Sequence, residues 1–266
     1  MNETQKSGLQ LVDWPLSIAP IMEVQILTGI AVMTSSASAL EHVRSTTLSD
    51  LVQEEILRGI KTGELTVGAK LNEMELSARL RISRSPVREA FRALEEAGLV
   101  VLEKNRGVFI RDLSDEEARE LYEVRAGLDE TAGRLLTPRI TDEQIEELTG
   151  LVTQLEITAV TGGVNLHFPL NIAFHDRIVE MTGNTMLLSV YRQVVNRMHL
   201  LRRRGFSLSG SSAASHAEHR IILEALANRD VDAAACAMRH HVENGFKRAV
   251  AAHHLEETLS SNTTAT

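Results

Sequence analysis

The stretch Ser83-Arg84-Ser85-Pro86-Val87-Arg88-Glu89-Ala90-Phe91-Arg92-Ala93-Leu94-Glu95-Glu96-Ala97-Gly98, followed by Leu99-Val100-Val101-Leu102, decides how this chain reads. Val87, Ala90, Phe91, Leu94 and Ala97 recur at helical spacing and predict one apolar stripe. Arg84, Arg88 and Arg92 recur at every fourth position and share the opposite stripe, so the same helix carries a basic face. Ser83 is a cap-type residue, and Pro86 falls in the first turn, where its missing N–H has no intrahelical partner. Gly98 supplies the stop. Leu99–Leu102 and Val108–Arg111, joined by the turn Lys104-Asn105-Arg106-Gly107, then read as a strand and its return.

Working outward, apolar periodicity predicts a helix from Leu48 to Lys61 with Thr47 as its N-cap, and a short amphipathic helix from Asn72 to Leu80. Three helices closed by a two-stranded ribbon describe a winged helix-turn-helix over residues 46–113. In that fold the N-terminal end of the third helix approaches base edges in the major groove. An arginine there offers a bidentate donor pair to guanine and grips phosphate equally well. Taken alone, the third helix is equally well an amphipathic helix with a solvated basic face. The order of all five elements favours nucleic acid.

Beyond the boundary at Asp112-Leu113-Ser114, where Ser114 and Glu117 make a capping box, no strand is predicted. Helices are expected at 114–136, 141–159, 168–181, 185–205, 213–227 and 230–256. Breaks fall at Pro138, Gly162-Gly163, Gly183-Asn184, Ser207–Ser212 and Asn228-Arg229-Asp230. The expected fold is therefore mainly α: the winged helix-turn-helix, then an antiparallel bundle of about six helices over 114–256. Residues 1–45 read as a poorly ordered extension and 257–266 as a flexible tail. The apolar run Val24–Met33 is too short for a bilayer, and Met22 and Met33 offer alternative starts downstream of Met1.

A chain of 266 residues has room for two such domains, and 43% apolar with 24% charged residues suits a soluble globular protein with no membrane partner. The single cysteine, Cys236, excludes an intramolecular disulfide and suits a reducing, cytoplasmic setting. A net charge of -8 argues against DNA until its distribution is considered. Lys and Arg balance Asp and Glu from Thr46 to Leu113, the surplus acid lies downstream, and Arg79, Arg81, Arg84, Arg88 and Arg92 crowd into one stretch.

These residues carry a resemblance. Gly63-Glu64-Leu65, Gly68 through Glu73, Leu76, Ser83 through Ala90, Leu94 through Val100 and Asn105-Arg106-Gly107 resemble the GntR family of bacterial regulators. The resemblance implies that Arg84 and Arg88 contact operator DNA, that Ser85 and Pro86 lie beside the backbone, and that Gly107 tips the wing into the minor groove. Arg92 and Arg106 join them as expected DNA contacts. Two positions depart from the pattern: Met74 stands where many members carry an arginine, and Arg81 replaces a frequent glycine at the end of the second helix.

The downstream part resembles the all-helical effector domain (FCD) of the branch named after the fatty-acid regulator. It rests on Leu121 through Arg125 with Asp129, Asn171 through His175, Gly183-Asn184, Glu218-His219 and Ala237 through His241. Six helices suit the smaller, vanillate-regulator-like subclass. The resemblance implies a divalent metal ion, Zn²⁺, Ni²⁺ or similar, held by Asn171, His175, His219 and His241. Asn171 and His175 are four apart and share a helix face, and neutral imidazoles suit such ions. With Asn171 in the set the ligands carry no negative charge, so the ion attracts a small carboxylate metabolite more strongly and is itself held less tightly. Arg125, one turn before Asp129, and Arg197 are the candidate effector-binding residues. His216 and His240 are nearby decoys, His240 being turned away from His241 on the same helix.

The expected function is thus a homodimeric transcription regulator, a repressor in most members, that binds double-stranded operator DNA and responds to a small acid. The alternative is a metal-dependent hydrolase or lyase built on the His cluster. It lacks an HExxH pattern and an evident general base. A regulator in which the ion itself is the signal uses the same residues.

Overall fold

A computed structural model of the chain describes residues 47–161, 164–203 and 213–263. The expectations for residues 1–45 and for the breaks at Gly162-Gly163 and Ser207–Ser212 lie outside them.

Helix α1 (Leu48–Thr62) opens with a reciprocal cap: the Thr47 hydroxyl accepts from the Asp50 N–H, and the Asp50 carboxylate accepts the Thr47 N–H at 2.8 Å. Strand β1 (Lys70–Leu71) leads into α2 (Glu73–Leu80), whose first N–H groups are taken by the Asn72 side chain. Helix α3 (Arg84–Glu96) follows, then β2 (Val100–Glu103) and β3 (Gly107–Ile110). Ser83 stands at the N-cap of α3 with extended backbone, but its hydroxyl makes no capping bond. The strands form one antiparallel sheet in the order β1-β3-β2, with Phe109 paired to Lys70 on one side and Val101 on the other. Strand β1 was not expected, because two residues are too few to show an alternation. Arg81 ends α2 in the left-handed region, at φ 54°, and lets the Ile82 N–H reach back to the Ser77 carbonyl. An arginine in this glycine-type position costs about 1–2 kcal/mol of local strain.

The bundle comprises α4 (Asp115–Leu136), α5 (Asp142–Thr161), α6 (Val164–Met181), α7 (Thr185–Met198), a 3-10 helix (His199–Arg203), α8 (Ala213–Ala227) and α9 (Val231–Thr263). The Ser114/Glu117 capping box starts α4 as expected. Three bounds differ from expectation. Helix α6 begins at Val164 rather than 168, since Pro169 so near the start forfeits only one intrahelical bond. The fourth helix of the bundle ends at Met198 and tightens into the 3-10 turn instead of running to 205. Helix α9 continues to Thr263, through most of the segment expected to be a loose tail; no glycine or proline after Gly245 interrupts it.

Two apolar clusters organise these elements. In the bundle, Leu136, Leu148, Phe174, Ile178, Tyr191 and Leu226 are among the fully buried side chains. In the winged part, Val52, Ile56, Val87, Phe91 and Ile110 pack together, and Leu200 and Leu201 of the 3-10 helix join them. Leu187, Tyr191 and Val195 of α7 belong to the bundle core. One continuous segment, α7 with its 3-10 extension, therefore enters both cores. Ala118 at the start of α4 also belongs to the winged cluster, with Leu121 and Tyr122 packed against it.

Helices α4 and α9 approach closely at Gly133, where an added Cβ would stand 3.1 Å from the backbone N and Cα of Ala235. Backbone cannot yield as a side-chain tip does. Gly133→Leu should therefore cost about 1–3 kcal/mol by overpacking and lower the midpoint of thermal unfolding followed by circular dichroism. An unchanged midpoint would show that the two helices are not fixed against each other here.

Candidate nucleic-acid interface and metal centre

The sequence-predicted DNA contacts on α3 lie along its solvent face. Arg84, Ser85, Arg88 and Arg92 on α3 are all exposed, with Pro86 half-buried between them, while Val87, Ala90, Phe91 and Leu94 point into the core. Arg88 Nε donates to Glu73 Oε1 of α2 at 3.0 Å, and Arg84 Nε lies 4.0 Å from the same oxygen. Glu73, not singled out as a site residue, thus tethers both arginines. The pairs are more than half exposed on the arginine side and contribute little to stability. At the wing, Asn105 (φ 63°) and Gly107 (φ 117°) make the tight turn that exposes Arg106. Arg106 and Lys70 flank the Phe109 ring, with their charged ends 5.6 and 5.8 Å from its centre. Lys70 was missed because β1 was missed. Met74 is exposed on α2, so the departure noted from the sequence leaves an apolar side chain where a cation would otherwise stand.

In the bundle, α6, α8 and α9 bring His175, His219 and His241 together, all buried, with ligating nitrogens within 4.8 Å of one another. Ring centres are 4.8 Å apart for His175 and His241, 4.5 Å for His219 and His241, and 5.4 Å for His175 and His219. Asn171, one turn before His175, has its Oδ1 buried without a hydrogen-bond partner among the described residues. A buried acceptor left unmade costs about 1–3 kcal/mol, which a cation bound there would recover. Burial pushes His175 down to about 4 and lowers His241 as well, so both rings are neutral, the form that binds metal. The donor set therefore fits a divalent ion. His216 lies at the rim, its ring centre 6.4 Å from that of His219, outside the three-histidine group. His240 is exposed and faces Cys236.

Carboxylates stand behind two of these imidazoles. Asp129 of α4, fully buried, has Oδ1 3.3 Å from His175 Nδ1 and Oδ2 3.4 Å from Arg125 Nε. Burial would raise Asp129, but the Arg125 guanidinium and His175 outweigh that and keep it ionised. Arg125 is thus no exposed intrahelical pair; it is buried as the counter-charge of Asp129. Glu218 of α8 accepts from His241 Nδ1 at 2.9 Å. Sequence spacing gave no sign of either pairing, because Asp129 and His175 are on different helices and Glu218 is adjacent to a different histidine.

Arg197, expected to bind effector, reaches the winged part. Its Nε donates to the Ala97 carbonyl at 2.6 Å, at the C-terminal end of α3. A Cβ at Gly98 would stand 3.0 Å from that nitrogen, so the close approach needs the glycine. Position on α7 is why the sequence misled: the helix faces the bundle core at Tyr191 and the winged part at its end.

A basic helix with a wing, joined to a helical bundle that buries three histidines, defines a DNA-binding regulator. The chain belongs to the GntR family of bacterial regulatory proteins: residues 48–110 match that family and residues 120–244 match the FCD domain. It is 34% identical over 180 residues to the Nta operon transcriptional regulator of Aminobacter aminovorans, covering 67% of this chain and 83% of that one. It is 31% identical over 203 residues to a probable D-xylose utilization operon transcriptional repressor of Paenarthrobacter nicotinovorans, covering 76% and 88%. Among solved structures, a GntR regulator from Rhodococcus sp. RHA1 superposes with TM-score 0.64 at 25% identity, covering 78% of this chain and 99% of that chain. E. coli McbR/YncC shares the fold, with TM-score 0.67 at 19% identity over 80% and 99%. These matches are regulators and not enzymes, which sets aside the hydrolase or lyase alternative.

The exposed arginines of α3 yield a direct test. Arg88→Ala should weaken binding to an operator selected from randomised DNA and relax base preference by about 1–3 kcal/mol of discrimination. Arg92→Ala, nearer the helix C-terminus, should weaken selected and scrambled duplexes alike, as loss of a phosphate contact does. Fluorescence-anisotropy titrations of both duplexes separate the two. Unchanged operator affinity for Arg88→Ala would remove it from the interface.

Proposed function

We propose that this transcription regulator is a homodimer whose grip on operator DNA is set by a small carboxylate metabolite, bound beside a divalent cation in the helical bundle. Residues 46–113 read the operator and residues 114–256 sense the metabolite. The observation that carries the reading is the convergence of buried His175, His219 and His241, with Asn171 one turn before His175 and its Oδ1 buried without a hydrogen bond among the described residues. When bound, the ion supplies open coordination positions that attract a carboxylate. The chain's own part is to hold neutral imidazoles there, exclude water, and set buried Arg125 beside the cavity as a further positive charge. Two arrangements of the bundle that differ in affinity for the acid bias the winged part through α7. Arg197 and the Leu200–Leu201 pair couple that helix to α3 and its core. Such coupling amounts to about 1–3 kcal/mol between sites.

A two-fold dimer is part of the proposal, since one winged helix reads only a few base pairs and useful specificity needs two half-sites. No helix among the described residues is long and apolar enough to cross a membrane. A cytoplasmic location follows from the role.

The double variant His219→Ala/His241→Ala should lose bound metal by elemental analysis and lose its response to candidate acids in operator titrations, with acid-free operator affinity retained. A double variant that still responds normally would make the cation irrelevant to sensing. Arg197→Ala should keep both metal and operator binding yet cut the effect of the acid on operator affinity several-fold. An undiminished acid effect would exclude α7 as the route.

A further inference from the structure

Beyond the ligands themselves, one carboxylate is bound more completely than any other near the cavity. Glu218 of α8 receives four hydrogen bonds: from His241 Nδ1 at 2.9 Å, from Arg248 Nη1 and Nη2 at 2.8 and 2.9 Å, and from Asn244 Nδ2 at 3.0 Å. The three donors occupy successive turns of α9, so the side chain ties α8 to one face of α9. Arg248 and Glu218 are both largely buried. Besides His241, three N–H donors point at its two oxygens, two from the Arg248 guanidinium and one from the Asn244 amide, and make it an acceptor-only carboxylate.

That fact fixes a tautomer. An acceptor-only oxygen at 2.9 Å requires the His241 proton to sit on Nδ1, and a neutral ring then has a bare Nε2. Asp129 Oδ1 lies 3.3 Å from His175 Nδ1, within ion-pair distance but outside hydrogen-bond geometry. The two Nε2 atoms face each other at 3.0 Å. Where the His175 proton stays on Nε2 it bridges the two nitrogens; where it too turns outward, toward Asp129, two lone pairs meet and repel. A cation between them reverses the sign of that interaction. Two nitrogens on one divalent ion, each about 2.0–2.1 Å from it, would stand about 2.8–3.4 Å apart, a range that includes the spacing found.

We propose that Glu218, itself anchored by Arg248 and Asn244, is the positioning residue that turns His241 Nε2 toward the cavity and so sets its affinity for a divalent cation. The inference rests on the metal-site reading above and goes one step beyond it. It assigns the tautomer, and with it the affinity, to a residue that does not touch the ion. In Glu218→Gln the amide has nearly the shape of the carboxylate but presents a donor as readily as an acceptor. His241 is then free to keep its proton on Nε2, where it blocks ligation.

The test uses the full-length chain, stripped of metal, with Zn²⁺ and Ni²⁺ titrated separately against a chromophoric chelator. Glu218→Gln should bind both ions roughly 10–100-fold more weakly than wild type, the effect typical of losing a carboxylate that orients a metal-bound histidine. Nitrogen NMR of the imidazoles supplies a readout that a merely structural role would not move. In metal-free wild type, His241 should carry its proton on Nδ1, and in Glu218→Gln the Nε2-protonated form should appear. Equal metal affinity of the two proteins, or a wild-type His241 protonated on Nε2, would overturn the inference even if the site binds metal. A wild type that takes up neither ion would overturn it together with the metal-site reading. Should Glu218→Gln fail to fold, the wild-type tautomer alone decides.

Discussion

Two imidazole nitrogens, Nε2 of His175 and Nε2 of His241, 3.0 Å apart among buried side chains, are the constraint on which this bundle turns. Each belongs to a ring whose other nitrogen faces an ionised carboxylate, and each carboxylate is in turn backed by a buried arginine, Arg125 for Asp129 and Arg248 for Glu218. Charges so placed are costly to bury unless paired, and here every charge has a partner. Asn171 Oδ1 and both Asp129 oxygens are among the buried atoms left without a hydrogen bond among the described residues. Helices α4, α6, α8 and α9 all contribute to this one spot, so whatever compensates them fastens four helices at once.

The same helices reach the winged part. Helix α4 begins within its core at Ala118, and α7 leaves the bundle core at Val195 to seat Leu200 and Leu201 among Val52, Ile56 and Phe91. Arg197 adds a hydrogen bond to the Ala97 carbonyl, immediately after the helix that carries Arg84, Arg88 and Arg92. A shift of α7 along its axis therefore cannot leave α3 unaffected, because close-packed cores transmit displacement instead of absorbing it. Phe246 of α9 packs on Tyr122 of α4, ring centres 5.1 Å apart, and so joins the turn of α9 between His241 and Arg248 to the edge of the winged core.

Much of the fold was legible because its signals are local. Apolar periodicity, the N-cap at Thr47, the capping box at Ser114/Glu117, and Gly98 after α3 each act within one or two turns. The miss at β1 reflects a strand too short to alternate, stabilised only by its pairing with β3. At the site, Asn171 and His175 were readable as one helix face, whereas the pairing of Glu218 with His241 needs α8 and α9 to be packed before it exists. Arg197 misled for the converse reason: its residue type suits an anionic ligand, and only the tertiary path of α7 carries it to a backbone carbonyl in the winged part. Arg125 was marked for its charge, but its burial against Asp129 depends on packing that no spacing reveals.

The central claim, that the buried histidines exist to hold a cation, is tested most directly by diffraction from crystals of protein purified without chelator, with data collected on both sides of the relevant metal absorption edge. The account predicts an anomalous peak within coordination distance of His175, His219 and His241 and of the Asn171 side chain. Crystals that show no such peak after soaking in Zn²⁺ or Ni²⁺, with the three imidazoles hydrogen-bonded to one another or to water, would contradict it.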